Sequence, residues 1–73
     1  MGVLIKRSFT LASHRTSVAL EAEFWQALAA IAAKQGRSVA ALVTEIDATR
    51  AAQGPLASAL RVYALIQARA LPR

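Results

Sequence analysis

The stretch HRTSVALEAEFW, at residues 14–25, decides the fold because its hydrophobic period changes at Glu21. Before that residue, Thr16, Val18 and Leu20 alternate with more polar neighbours, which is typical of a half-exposed β-strand. After it, the large apolar side chains recur at the spacing of an amphipathic helix. The sequence therefore predicts a strand that runs directly into a helix.

Three helices are predicted to follow the strand (14–20), over residues 22–35, 38–52 and 56–69. Gly36 ends the first helix, because glycine readily takes the left-handed conformation found at helix ends. Ser38 is predicted to cap the second, and a Gly-Pro pair separates the second from the third. We expect a mainly α fold with a short β-ribbon, in a single domain over 1–73.

Residues 1–13 leave two alternatives open. Alternating apolar residues over 3–11 favour an extra strand, whereas Lys6 and Arg7 favour a basic arm. The Ala12-Ser13 pair lacks the Asn-Gly or Asp-Gly typical of a tight hairpin, so it does not decide whether the two strand-like pieces pair.

The chain is small, with 73 residues, no cysteine and one histidine. Domains of this size usually need a disulfide, a metal or a partner subunit, and the first two are excluded by composition. We therefore expect a homodimer in which the strand pairs with its copy, so that its inward side chains become buried only in the dimer. The predicted dimer core is Val18, Leu20, Phe24, Trp25, Leu28, Leu42 and Ile46.

The net charge of +5 favours an anionic partner, and nucleic acid is the commonest, although charge kept for solubility is the alternative. A two-stranded ribbon fits the major groove of double-stranded DNA. Arg15, Ser17 and Ala19 would point outward, with Arg15 able to donate two hydrogen bonds to a guanine. These three are the predicted base contacts.

Phosphates are predicted to bind at the start of the second helix, where free amides and the helix dipole attract anions. The residues expected there or near the DNA backbone are Lys6, Arg7, His14, Lys34, Gly36, Arg37, Ser38 and Val39.

The run Arg15-Thr16-Ser17-Val18-Ala19-Leu20-Glu21, a helix, and then Gly36-Arg37-Ser38-Val39 resembles the ribbon-helix-helix fold of the Arc and methionine repressors. The chain is also similar, over residues 6–65, to a small bacterial subfamily of ribbon-helix-helix domains. That likeness rests on Lys6-Arg7-Ser8-Phe9-Thr10-Leu11, His14-Arg15-Thr16-Ser17-Val18, Phe24-Trp25 and Glu45-Ile46-Asp47.

The resemblance implies an intertwined homodimer, possibly of higher order on DNA, that binds DNA as a transcriptional regulator; many members of the superfamily are antitoxins. Two departures from its pattern stand out. Alanine occupies one of the three base-reading positions, at Ala19, and a third helix replaces the flexible tail with which antitoxins usually grip a toxin.

The alternative function is a dimeric protein-interaction module, adaptor or antitoxin-like, that has lost base readout and grips a protein partner. We expect no enzyme, because the sequence has no nucleophile–base pair, glycine-rich phosphate loop or metal-ligand cluster. No cofactor or metal is expected. Apolar runs are too short for a membrane span, so we expect a soluble, cytoplasmic protein.

Overall fold

The chain, whose computed structural model describes residues 3–49 and 54–70, is a two-stranded antiparallel sheet followed by three helices. The strand followed by three helices is the predicted element order, and the strand that precedes it is one of the two alternatives left open for residues 1–13. The predicted end of the second helix at residue 52 lies outside the described residues. The strands are β1 (Leu4–Leu11) and β2 (His14–Glu21), and the helices are α1 (Ala22–Lys34), α2 (Val39–Thr49) and α3 (Leu56–Ala70).

The strands form a hairpin within one chain, paired from Leu4↔Glu21 to Leu11↔His14. Its two-residue turn holds Ala12 at φ 51° and Ser13 at φ 70°. Left-handed angles at both positions are those of a type I′ turn, whose twist matches that of a hairpin. A left-handed residue with a Cβ costs about 1–2 kcal/mol, so pairing along both strands must offset the turn. Of the two alternatives for the N-terminal segment, the structure has the extra strand.

The expectation that β2 needs a second copy of the chain as its partner is wrong, because β1 pairs with it. Val18 and Leu20 are already buried in the single chain, with 4% and 0% of their surface exposed, and Thr16 is partly buried. The reason is that α1 and α3 both pack against β2, while α2 contacts β1. One chain therefore covers the inner face of its own β2.

The core is continuous from the hairpin to the third helix. Leu28, Leu42 and Leu60, one from each helix, are fully buried, so α3 is an integral part of the domain. Trp25 fastens the hairpin to α1, since its indole Nε1 donates a hydrogen bond to the carbonyl oxygen of Ile5 at 2.8 Å. The ring of Phe9 lies against the same indole, with 5.9 Å between ring centroids.

Of the seven residues predicted for a dimer core, six are buried within this one chain and Phe24 is partly buried. A single protomer already provides the contacts that bury these side chains. That they also form the core of a dimer stays a prediction. No helix among residues 3–49 and 54–70 is long and apolar enough to cross a membrane.

Candidate nucleic-acid interface

The outer face of β2 carries the three predicted base contacts. Arg15 and Ser17 are exposed and Ala19 is half-buried, whereas Val18 and Leu20 between and beyond them are buried. This alternation follows from the pleat of a strand, in which neighbouring side chains point to opposite faces. The structure thus has the predicted alternation of the strand, with Arg15 and Ser17 turned to solvent and Ala19 partly so, and their contact with bases stays a prediction.

The same face contains a second row of polar side chains, supplied by β1. The register puts Lys6 opposite Ala19, Ser8 opposite Ser17 and Thr10 opposite Arg15, and cross-strand partners share a face of the sheet. The hydroxyls of Ser8 and Ser17 are 3.0 Å apart, within hydrogen-bond distance.

Ser8 and Thr10 were not predicted as site residues. The signal that pointed to them was the alternation over residues 3–11, which puts both on the polar side of a strand. It became informative only once the pairing of the two strands was known.

Lys6 and Arg7, neighbours in sequence, have different surroundings. Lys6 is exposed on the outer face, whereas Arg7 pairs with the buried Val18 and its guanidinium lies 4.9 Å from the centre of the Trp25 ring. A cation over an aromatic face is attracted by the ring's negative π-cloud. Arg7 is therefore held on the inner side of the hairpin. His14 is exposed beside the turn.

The connection between α1 and α2 is a compact helix-ending motif. The amide of Gly36 donates to the carbonyl of Ala33, and that of Arg37 donates to the carbonyl of Ala32, both at 3.0 Å. These two bonds form a Schellman motif, with Gly36 at φ 69° in the left-handed position that glycine occupies without strain. The motif fixes the angle at which the chain enters α2.

The start of α2 has the geometry of an anion site. The Ser38 hydroxyl accepts a hydrogen bond from the amide of Ala41 at 3.0 Å, which is the predicted capping contact. Within the described part of the chain, no backbone carbonyl accepts from the amides of Val39 and Ala40. These two N–H groups are at the positive end of the helix dipole, where they favour a negatively charged partner.

Arg37, beside this helix start, belongs to a polar network. Its guanidinium forms an ion pair with Glu45 of α2 and donates to the side-chain oxygen of Gln35 at 2.7 Å. The Gln35 amide in turn donates to the hydroxyl of Tyr63 at 3.1 Å, which ties the network to α3. Arg37 keeps further N–H donors, since a guanidinium has five. Lys34, in the last turn of α1, is exposed.

The far end of the ribbon is fastened to the third helix by Glu21 and Arg61. The guanidinium Nε and Nη2 of Arg61 lie 3.2 and 3.1 Å from the Glu21 carboxylate, and the same guanidinium lies 5.8 Å from the Phe24 ring centre. A hydrogen bond from its own backbone N–H, and then the bond from Arg61, hold the pKa of the Glu21 carboxyl below its ordinary value, although desolvation opposes them.

Comparisons with known proteins agree with this architecture. A family model described as a ribbon-helix-helix domain matches residues 4–68, which include both strands, α1, α2 and most of α3. No curated protein and no solved structure matches the chain. Among residues 3–49 and 54–70, no three histidine, aspartate or glutamate side chains are grouped as a metal site would require.

Proposed function

The chain belongs to the ribbon-helix-helix domain family, and from this premise we propose that it is a sequence-specific DNA-binding protein that regulates transcription. Domains of this family typically bind DNA as transcription regulators. In the proposed mode, the outer face of the ribbon enters the major groove and the start of α2 holds a flanking phosphate. Reading of bases and positioning on the backbone are then done by separate elements.

One observation carries the proposal: the inner face of the hairpin packs against the helices, and its outer face presents polar and basic side chains to solvent. Arg15 and Lys6 lie on the exposed face, with no acidic residue in the first 20 positions of the chain. A guanidinium can donate two hydrogen bonds to the O6 and N7 atoms of guanine, and a serine hydroxyl at position 17 suits either kind of base. A face kept only for solubility has no need to be presented on a ribbon of groove-fitting width.

The phosphate role of the α2 start is supported by the free amides of Val39 and Ala40 and by the nearby cations Lys34 and Arg37. The Arg37–Glu45 ion pair bears on this role in two ways. It holds the guanidinium in one place, which lowers the entropy lost on binding. It also offsets part of the positive charge, so Arg37 should contribute less to long-range attraction than Lys34.

We also propose that the protein acts as a homodimer, since ribbon-helix-helix domains form dimers. Exposed apolar side chains support this, because they remain available for a second copy: Val3, Leu4 and Ile5 near β1, and Val62, Leu65 and Ile66 on α3. Each protomer contributes its own complete hairpin, so a dimer offers two ribbons. Sedimentation velocity across micromolar concentrations, with and without DNA, measures the number of copies.

The direct test of DNA binding is fluorescence anisotropy with labelled duplex DNA of random sequence at about 50 mM salt. We expect binding at micromolar protein that weakens steeply as salt rises. A plot of log affinity against log salt concentration should have a slope of about −0.9 for each phosphate neutralised. Absence of any binding under these conditions contradicts the proposal, because non-specific attraction is strongest there. An elevated 260 nm absorbance of the protein, removed by nuclease, is a further expected sign.

The two roles are separated by single substitutions measured on a selected duplex and on a scrambled one. Arg15→Ala should lose about 1–3 kcal/mol of binding free energy on the selected duplex and much less on the scrambled one. Arg37→Ala should weaken both alike. Arg69→Ala is the matched control, because it removes the same charge from the last turn of α3. Equal losses on both duplexes for Arg15→Ala and Arg37→Ala would mean that the division of roles is incorrect.

A further inference from the structure

On the outer face of the hairpin, β2 lacks a polar side chain at one position, and β1 has a lysine across from that position. The side chain of Ala19 has no hydrogen-bonding group, so β2 alone offers two polar side chains at its three outward positions. The register puts Lys6 directly across from Ala19. Opposed side chains on one face of an antiparallel pair have Cβ atoms about 4.5–5.5 Å apart, so a lysine there extends over the alanine.

We propose that β1 is a second base-reading strand, with Lys6, Ser8 and Thr10 contacting base edges beside Arg15 and Ser17. This inference rests on the proposed DNA-binding function and extends it. It assigns Lys6 to bases, where the sequence alone had suggested phosphates. A single hairpin then presents five polar side chains to the groove, and the alanine at position 19 no longer weakens readout.

The geometry of the hairpin supports this assignment. Neighbouring strands are about 4.8 Å apart, so a two-stranded ribbon with its side chains fits a major groove about 12 Å wide. All five polar residues are on the face opposite the buried side chains of β2, and neither Lys6 nor Arg15 forms an ion pair among the described residues. The Ser8–Ser17 hydrogen bond is exposed, so both hydroxyls remain accessible to a base.

A rival arrangement makes a different prediction about β1. The edge of β2 away from β1 is unpaired among the described residues, and pairing of two copies there would build a four-stranded sheet. Its outermost backbones would be about 14 Å apart, which is wider than the groove. Only the two central strands would then enter, and β1 would lie over the phosphates. In that arrangement Lys6 and Thr10 would contribute equally to every DNA sequence.

The test begins with selection of random duplexes on the wild-type protein. Anisotropy titrations then compare the selected duplex with a scrambled one for Lys6→Ala, Thr10→Val and the control Arg69→Ala. We expect Lys6→Ala to lower the affinity for the selected duplex by about tenfold or more, and the affinity for the scrambled one by at most a few-fold. Thr10→Val, which keeps the branched Cβ suited to a strand, should also lose more on the selected duplex. Arg69→Ala should lower the affinity for both duplexes by the same small factor.

Circular dichroism melts confirm that each variant folds, and Lys6→Gln replaces Lys6→Ala if the latter does not. Equal losses on both duplexes for the β1 variants, or none, would overturn the inference while leaving the DNA-binding proposal intact if Arg15→Ala still discriminates. If the wild-type protein binds neither duplex at about 50 mM salt, the underlying function itself is refuted.

Discussion

Trp25→Phe should destabilise the domain by about 2–3 kcal/mol, because Trp25 joins the hairpin to the first helix. Its indole N–H donates to the Ile5 carbonyl at 2.8 Å, its ring supports the Arg7 guanidinium, and only 2% of its surface is exposed. Phenylalanine keeps an aromatic ring in place but has no N–H group. The substitution therefore tests the hydrogen bond and the fit of the larger ring.

The magnitude follows from two contributions. A hydrogen bond of this kind stabilises by about 1 kcal/mol net. The phenyl ring also buries roughly 40 Å² less surface than the indole, which at about 25 cal/mol per Å² is about another 1 kcal/mol, and incomplete repacking adds to this. Since a domain of this length has a free energy of unfolding of roughly 4–11 kcal/mol, the loss is a sizeable fraction. The midpoint of thermal unfolding should fall by about 10–20 °C.

Urea unfolding followed by circular dichroism at 222 nm measures the effect without relying on the fluorescence of the residue removed. Tyr63→Phe is the control, because it deletes an exposed hydrogen bond with Gln35 and should change the free energy of unfolding by less than about 0.5 kcal/mol. Hydrogen exchange at the amides of β2 should quicken in Trp25→Phe. A variant within about 0.5 kcal/mol of wild type, with an unchanged denaturant slope, would refute the anchoring role of the indole.

Three other predictions concern the turn of the hairpin, the third helix and the ion pair between Glu21 and Arg61. Ser13→Gly should stabilise the protein by about 1 kcal/mol in urea unfolding, because glycine takes φ 70° without strain; destabilisation would argue against the turn. Leu60→Ala should lower the free energy of unfolding by about 2–5 kcal/mol in the same assay. A loss below about 1 kcal/mol would mean that α3 is not part of the core. The lowered pKa of Glu21 means that its contribution is present above about pH 4.3 and is lost as pH falls through the folded value. Glu21→Gln should therefore flatten the decline in urea midpoint between pH 6 and 3, and Arg61→Met should flatten it less, because the bond from the backbone N–H remains; an unchanged decline in Glu21→Gln would contradict this.

The local elements were largely predictable, because their signals lie within a few neighbouring residues. The change of period at Glu21 located the start of α1, and Gly36 and Ser38 were recognised as the end of one helix and the cap of the next. Their chemistry is local: a residue without a Cβ tolerates φ 69°, and a serine hydroxyl reaches an amide three residues on. The outward positions of β2 were predictable for the same reason.

The pairing partner of β2 was not predictable in this way. Ala12-Ser13 carries none of the residues that favour a tight hairpin, so local propensity left undecided the turn that the structure has. The turn forms because the inner face of the two strands packs against the helices, α1 and α3 against β2 and α2 against β1, and this gain exceeds the strain at two residues. Tertiary packing therefore decided what local preference left open.

By itself, the sequence determined the order of β2 and the three helices, the two faces of β2, the end of α1 and the cap of α2, and the basic character of the chain. Each of these follows from periodicity, from one residue's conformational freedom or from charge, which act over short distances. The tertiary structure alone decided that β1 completes the ribbon, that Lys6 lies across from Ala19 while Arg7 is held by Trp25, and that Arg37 is paired with Glu45. These depend on contacts between distant segments, whose register no local pattern specifies.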